Sequence, residues 1–159
     1  MVSYLVYNLF VAHIVADFYF QTDKSCSKKA EKGLKGWEPY KHFLCVLVLT
    51  WLVVFDWHAW WLAAIVAGSH FVIDAVKPYV QKRCVTNNEL WVFIVDQILH
   101  LAVLGGAGYL WFQYNSWQEF GWLMECSPKY VLLLTALMLS HKPSNILVNL
   151  IIKYYEVPV

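Results

Sequence analysis

Apolar residues gather along this chain into runs of roughly 20, long enough to span a bilayer as helices. The runs predict spanning helices at residues 2–21, 41–56, 58–78, 89–112 and 129–142, with a short helix near 144–155 after them. The fifth run is purely apolar only from Tyr130 to Ser140, which is short for a hydrocarbon core of about 30 Å. Pro143 is expected to break it, and Ser144 could cap a new helix whose Asn149, Lys153 and Glu156 share a polar side against Ile146, Leu147, Leu150 and Ile151. That last helix is expected to lie on the cytoplasmic interface, with one kinked helix over 129–155 as the alternative. The fold expected is all-α: a polytopic membrane helix bundle of about five transmembrane helices plus a short C-terminal interfacial helix, forming a single transmembrane domain over residues 1–159.

Composition agrees with that pattern, since 60% of the 159 residues are hydrophobic and 14% are charged, far from an ordinary soluble domain. The first run carries Asp17 and Gln21 near its end and has neither a basic leader nor a small-residue cleavage site, so it is read as a retained helix. Trp37, Trp57, Trp60, Trp61, Trp91 and Trp117 fall near segment ends and read as interfacial anchors. Cys26, Cys45, Cys84 and Cys126 show no paired spacing and read as thiols. Small residues at helical spacing, Ala63 with Ala67, Ala64 with Gly68, and Gly105, Gly106 and Gly108, read as sites of close helix packing.

The net charge is only +1, but its distribution is uneven. Lys24, Lys28, Lys29, Lys32, Lys35 and Lys41 crowd the first loop, and Lys77, Lys82 and Arg83 lie at the third. The second and fourth carry Asp56, Glu119 and Glu125, with Lys129 the basic exception. The positive-inside rule then places the N-terminus outside and the C-terminus in the cytoplasm of a multi-pass protein of a bacterial inner membrane. The lysines at 28, 29, 32 and 35 read as an orientation signal and lipid-facing patch.

Three pairs interrupt the apolar runs: His13 with Asp17, His70 with Asp74, and Asp96 with His100. Each has i to i+4 spacing, which puts both side chains on one helix face, about 6 Å apart along the axis. The order reverses in the third pair, as antiparallel helices require if like groups are to meet at one depth. An aspartate at a membrane helix centre costs about 2.5–3.5 kcal/mol, so three need partners, protonation or water. A divalent metal (Zn, Mn or Fe) answers that need, and His13, Asp17, His70, Asp74, Asp96 and His100 could hold one ion or two. Asp17 or Asp74 would bridge metals or accept a proton from an attacking water, and Lys77 could attract an anionic head group. Gln21, Gln97 and Ser69 are candidates for supporting hydrogen bonds; His42 is a possible further ligand, with His141 and Asn145 at the same rim. His58 falls on the opposite side and is excluded. The competing reading is that the pairs are internal hydrogen bonds or polar glue between helices.

The runs His13-Ile-Val-Ala-Asp17-Phe-Tyr-Phe-Gln21-Thr22, His70-Phe-Val-Ile-Asp74-Ala-Val-Lys77 and Asp96-Gln97-Ile-Leu-His100, with His42, resemble the bacterial and phage membrane proteins grouped as domain of unknown function 3307. The His70 to Asp74 element is also similar to the HxxxD element of bacterial membrane-bound metal-dependent hydrolases. The chain lacks the His-Arg start and Thr-His-Ser element of that second group. The expectation is a membrane-embedded metal-dependent hydrolase that acts on a membrane-associated ester or phosphoester from the cytoplasmic side. A proton or divalent-metal transporter or channel, and a non-enzymatic membrane partner protein, are the alternatives. Partners expected are a membrane lipid or lipid-like substrate, with a homo-oligomer of the chain as an option and no nucleic acid.

Overall fold

A computed structural model describes residues 2–54, 57–83, 89–114 and 128–155. Helix α1 (Val2–Ile14) runs into a π-helical turn, Val15–Phe20. Helix α2 (Asp23–Lys32) and a 3-10 turn, Gly33–Lys35, precede α3 (Glu38–Val54). A second 3-10 turn, Trp57–Ala59, leads into α4 (Trp60–Arg83), followed by α5 (Glu89–Tyr114) and α6 (Pro128–Tyr154). The side chains of Trp57, Lys82 and Arg83, together with Asp56, Cys84, Trp117, Glu119, Glu125, Cys126 and Glu156, lie outside what is described.

The local chemistry explains most of these limits. The Thr22 hydroxyl caps α2 by accepting from the Ser25 N–H at 3.3 Å, and Gly33, at φ 54°, supplies the left-handed residue that ends it. This helix falls where the sequence predicts only a basic loop. The Ser25 hydroxyl then donates to Glu38 at 2.8 Å, tying α2 to the first turn of α3. There Pro39 sits where its missing N–H has no intrahelical acceptor.

Pro143, expected to end a helix, lies inside α6, which is continuous to Tyr154. The missing N–H of Pro143 would leave the Leu139 carbonyl one turn back unbonded, and the Ser144 hydroxyl donates to that carbonyl at 2.7 Å. Ser144 therefore bridges the break instead of capping a new helix, and the separate interfacial helix is replaced by the continuous alternative.

α1, α3, α4 and α5 form a closed four-helix ring in which α1 packs on α3 and α5, and α4 on α3 and α5. Neighbours run antiparallel. α6 leans on α1, α5 and the π turn, and α2 crosses the end of the ring at the start of α3. One end of the interior is apolar, filled by Leu5, Leu9, Val54, Leu62, Leu104 and Trp111, with Trp61 stacked on Trp111 at 5.4 Å. Trp61 is thus a packing residue, whereas Trp37, Trp60 and Trp91 are exposed as anchors would be. The other end buries His13, His42, His70, Asp96 and His100.

Gly108 allows α1 and α5 to approach, because a Cβ there would run into a Val6 methyl. Gly68, Gly105 and Gly106 meet open space and Ala64 is exposed, so of the predicted small-residue contacts Ala63, Ala67 and Gly108 are the buried ones.

Outside, the ring is greasy: Leu44, Val48, Val72, Val76, Val95, Ile98 and, on α6, Leu132, Leu133 and Leu137 are exposed. Two helical stretches among the described residues, Trp60–Gln81 and Glu89–Tyr114, are long and apolar enough to cross a membrane, and Leu5–Phe20 is a shorter apolar one. The 17 residues of α3 reach about 25 Å, short of a bilayer core, and Lys142, Asn145 and Asn149 dilute α6.

Candidate metal centre

Each ionisable group reaches the polar end of the ring by its register on a helix. α1 delivers His13, and the π turn after it swings out Asp17; such wide turns recur at functional sites. α3 contributes His42 from its second turn, α4 contributes His70 and Asp74, and α5 contributes Asp96 and His100. Pro78 removes the N–H that would bond the Asp74 carbonyl, loosening α4 at this level.

The imidazoles form a continuous cluster. His70 lies at the centre, its ring centroid 4.2 Å from His100, 5.0 Å from His42 and 5.6 Å from His13, while His13 stacks on His100 at 4.9 Å. The Nε2 atoms of His42 and His70 face each other at 2.9 Å. Asp17 Oδ1 lies 3.2 Å from His70 Nε2 and 3.3 Å from His42 Nε2, and Asp74 Oδ2 lies 3.8 Å and 3.6 Å from the same two nitrogens. Asp17 Oδ2 is 3.7 Å from His13 Nδ1.

These separations can be compared with the edges of a coordination polyhedron. For bonds of about 2.1 Å, neighbouring ligand atoms stand about 3.4 Å apart in a tetrahedron and about 3.0 Å apart in an octahedron. The triangle made by the two Nε2 atoms and Asp17 Oδ1, with edges of 2.9, 3.2 and 3.3 Å, falls on that range, and Asp74 Oδ2 sits slightly wide of it. Asp17 Oδ1 is buried and, despite both nitrogens nearby, is in hydrogen-bond geometry with neither. Donor atoms of His13, Asp17 and His70, of His42, His70 and Asp74, and of Asp74, Asp96 and His100 each fall within 4.8 Å of one another. The clusters are geometrically able to hold a metal.

Two lysines supply charge to the other carboxylates. Lys29 of α2 bonds Asp74 Oδ2, with both side chains mostly buried, and Lys77 Nζ bonds Asp96 Oδ2 at 2.8 Å. Lys29, read from sequence as part of a lipid-facing patch, instead enters the polar cluster. Lys77, expected to attract a head group, is engaged with Asp96.

Gln97 of α5 links that helix to α1, donating to Asp96 at 3.2 Å and facing His13 Nε2 with its Oε1 at 3.4 Å. His100 Nδ1 is 2.7 Å from the Asp96 carbonyl, which assigns the Nδ1–H tautomer and leaves Nε2 buried without a partner, as is Asp96 Oδ1.

Other predicted residues stand elsewhere. The Gln21 N–H closes the π turn on the Ala16 carbonyl, the Ser69 hydroxyl bonds its own helix, and His141 and Asn145 are exposed on α6. His58 is exposed beside the far end of the ring.

A cavity of about 310 Å³ opens onto this centre between α2, α3 and α4, with His42 and Asp74 in its wall. The family described as protein of unknown function (DUF3307) matches residues 5–125, and the chain belongs to it. The match contains every ionisable residue of the cluster. No curated protein and no solved structure matches the chain significantly.

Proposed function

We propose that the chain is a small polytopic membrane enzyme that holds a divalent cation (Zn, Mn or Fe) at its histidine and aspartate cluster and hydrolyses a membrane-associated ester or phosphoester from the cytoplasmic side. The membrane setting is supported by the inverted polarity of the fold, with imidazoles and carboxylates inside and aliphatic side chains outside. Only 28% and 22% of the two long apolar stretches are buried, unlike the core helices of a soluble protein. The basic residues of α2 and the α2–α3 turn favour placing that end in the cytoplasm.

The observation that carries the chemical reading is the triangle of His42 Nε2, His70 Nε2 and Asp17 Oδ1 at ligand-edge separations around a carboxylate oxygen with no hydrogen bond. Imidazole nitrogen with carboxylate oxygen is a donor set suited to Zn, Mn or Fe. A bound cation would polarise a phosphoryl or carbonyl oxygen. Hydrolysis joins a water oxygen to phosphorus or carbonyl carbon and breaks the ester bond, passing the water's proton to a carboxylate while the departing alcohol oxygen takes one up. Asp74, which lines the cavity and stands 3.6 Å from His42 Nε2, is the carboxylate proposed to accept that proton, leaving Asp17 Oδ1 as a metal ligand. The apolar plug of Leu5, Leu9, Val54 and Leu62 at the other end of the ring favours one-sided chemistry over transport, which needs access from both faces.

The test is metal content per purified chain by mass spectrometry, with release of phosphate or acid from a lipid phosphomonoester, phosphodiester and carboxylic ester in mixed micelles. The wild type should carry metal and cleave one class. A folded variant with His70, Asp74 and Asp96 all changed to Ala should do neither, and retention of both would overturn the reading.

A further inference from the structure

The cavity that opens onto the cluster has walls of two kinds. Lys29, Lys32 and Lys35 line one side, from α2 and the 3-10 turn after it. Phe43, Phe71 and Tyr79 line the other, with Phe43 and Phe71 edge to face at 5.8 Å. Glu31, exposed, and Asp74, mostly buried, complete the lining. Lys32 and Lys35 are exposed, and among the described residues no bonded carboxylate holds either of them as Asp74 holds Lys29.

We infer that this cavity binds a phosphate-bearing amphiphile, its phosphate among Lys29, Lys32 and Lys35 and the adjoining hydrocarbon against Phe43, Phe71 and Tyr79. Three ammonium groups against the two carboxylates of Glu31 and Asp74 leave the cavity with a net positive charge, which suits a phosphate monoester, carrying up to two charges and three strong acceptor oxygens. A purely soluble anion would leave the aromatic wall without a partner, and a neutral lipid would leave the lysines so. About 310 Å³ is at the lower end for ligand pockets, room for a head group and the start of a chain but not for a whole lipid. The remainder would continue along the exposed apolar faces of α3 and α4, where Leu44 and Val72 lie. An amphiphile seated so presents its phosphate beside His42 and Asp74. That last step rests on the hydrolase reading; the binding does not.

The experiment is isothermal titration of the full chain in phosphatidylcholine nanodiscs with dihexanoyl phosphatidic acid, glycerol 3-phosphate and dihexanoylglycerol. Dihexanoyl phosphatidic acid should bind saturably, at least tenfold more tightly than dihexanoylglycerol. The double variant Lys32→Gln, Lys35→Gln, altered only at exposed positions, should bind it about tenfold or more weakly, the scale of a lost hydrogen bond to a charged group. Glycerol 3-phosphate binding as tightly as the lipid would uphold the phosphate site and assign it to a soluble phosphate compound. Absence of saturable binding, equal binding of dihexanoylglycerol, or no change in the double variant would overturn the inference. Metal content of the same samples separates the two readings. Metal retained without phosphate binding removes only this inference, and phosphate binding without metal removes only the hydrolase.

Discussion

Replacing Lys29 by Gln should tighten metal binding, although it removes an ion pair. The Lys29 ammonium bonds Asp74 Oδ2, the oxygen that stands 3.6 and 3.8 Å from the two facing Nε2 atoms, and both side chains are mostly buried, at 14% and 12% exposure. A cation seated among those donors would lie within about 4 Å of the ammonium, where two unit charges repel by about 4 kcal/mol at an effective dielectric constant of 20. The lysine must therefore leave Asp74 when the ion arrives, at the cost of a charged hydrogen bond worth about 1.5–3 kcal/mol. Without that competitor, affinity should rise about 10- to 100-fold, since each 1.4 kcal/mol is tenfold. Metal-free, the variant leaves Asp74 with only the imidazoles of His42 and His70 as ion-pair partners among the described residues and should be destabilised by up to about 3–5 kcal/mol. Zinc titration by calorimetry, with thermal melting in chelator and in zinc, tests both halves. Lys29→Gln should melt below the wild type in chelator and gain more from zinc. Weaker zinc binding by the variant, or an equal gain in both proteins, would refute the competition.

Gly108→Ala should cost about 1–3 kcal/mol, because the stiff Val6 side chain must yield, whereas Gly105→Ala and Gly106→Ala, in open space within a helix, should stabilise by up to about 1 kcal/mol; denaturant titration in detergent measures the difference. The Ser25 hydroxyl holds the Glu38 carboxyl below the ordinary glutamate range, with Lys41 adding to the effect. Because the folded value is depressed, the contribution to docking of α2 is present above the ordinary glutamate value and is lost as pH falls through the lower folded one. Ser25→Ala should move the Glu38 titration, followed by carbon NMR, up toward the ordinary range. Cys26 is exposed on α2, so as the sole thiol of a variant it should react with an impermeant maleimide in inverted vesicles and not in right-side-out ones; the opposite pattern would reverse the proposed orientation.

The residue pairs were legible in the sequence because i to i+4 spacing is a local property: whatever the helices pack against, His13 and Asp17 share a face. The reversal at Asp96 and His100 likewise anticipated the antiparallel ring, which brings the three imidazoles within 4.2 to 5.6 Å of each other. His42 was visible only as a possible further ligand, since a lone histidine in a second turn has no partner on its own helix; its place against His70 comes from α3 packing on α4. Lys29 had no signal. It lies on a helix without an apolar stripe, formed by a threonine cap and held by Ser25 to Glu38, and nothing local distinguishes it from Lys28 or Lys32. The π turn was hidden for the same reason that Pro143 misled: both depend on how individual carbonyls find donors.

The charges of the centre bear on whether it would take one ion or two. Three buried or mostly buried carboxylates meet four imidazoles and two lysines, and each lysine is committed: Lys29 to Asp74, Lys77 to Asp96. Among the described residues Asp17 has histidines and no lysine as ion-pair partners, and its Oδ1 is the oxygen that completes the triangle with His42 and His70. A first cation placed there would neutralise Asp17 and, through its approach to Asp74, would displace one lysine. A second, among Asp74, Asp96 and His100, would have to displace Lys77 as well and would sit close to the first. The second step therefore lacks an unneutralised carboxylate to drive it and adds cation–cation repulsion. One equivalent of metal per wild-type chain is expected, with a second appearing in Lys77→Gln, where Asp96 Oδ1 and His100 Nε2, both buried without partners, are left to receive it. Two equivalents in the wild type would mean that the lysines yield more readily than their burial implies, and that the carboxylates, rather than the facing imidazoles, govern the site.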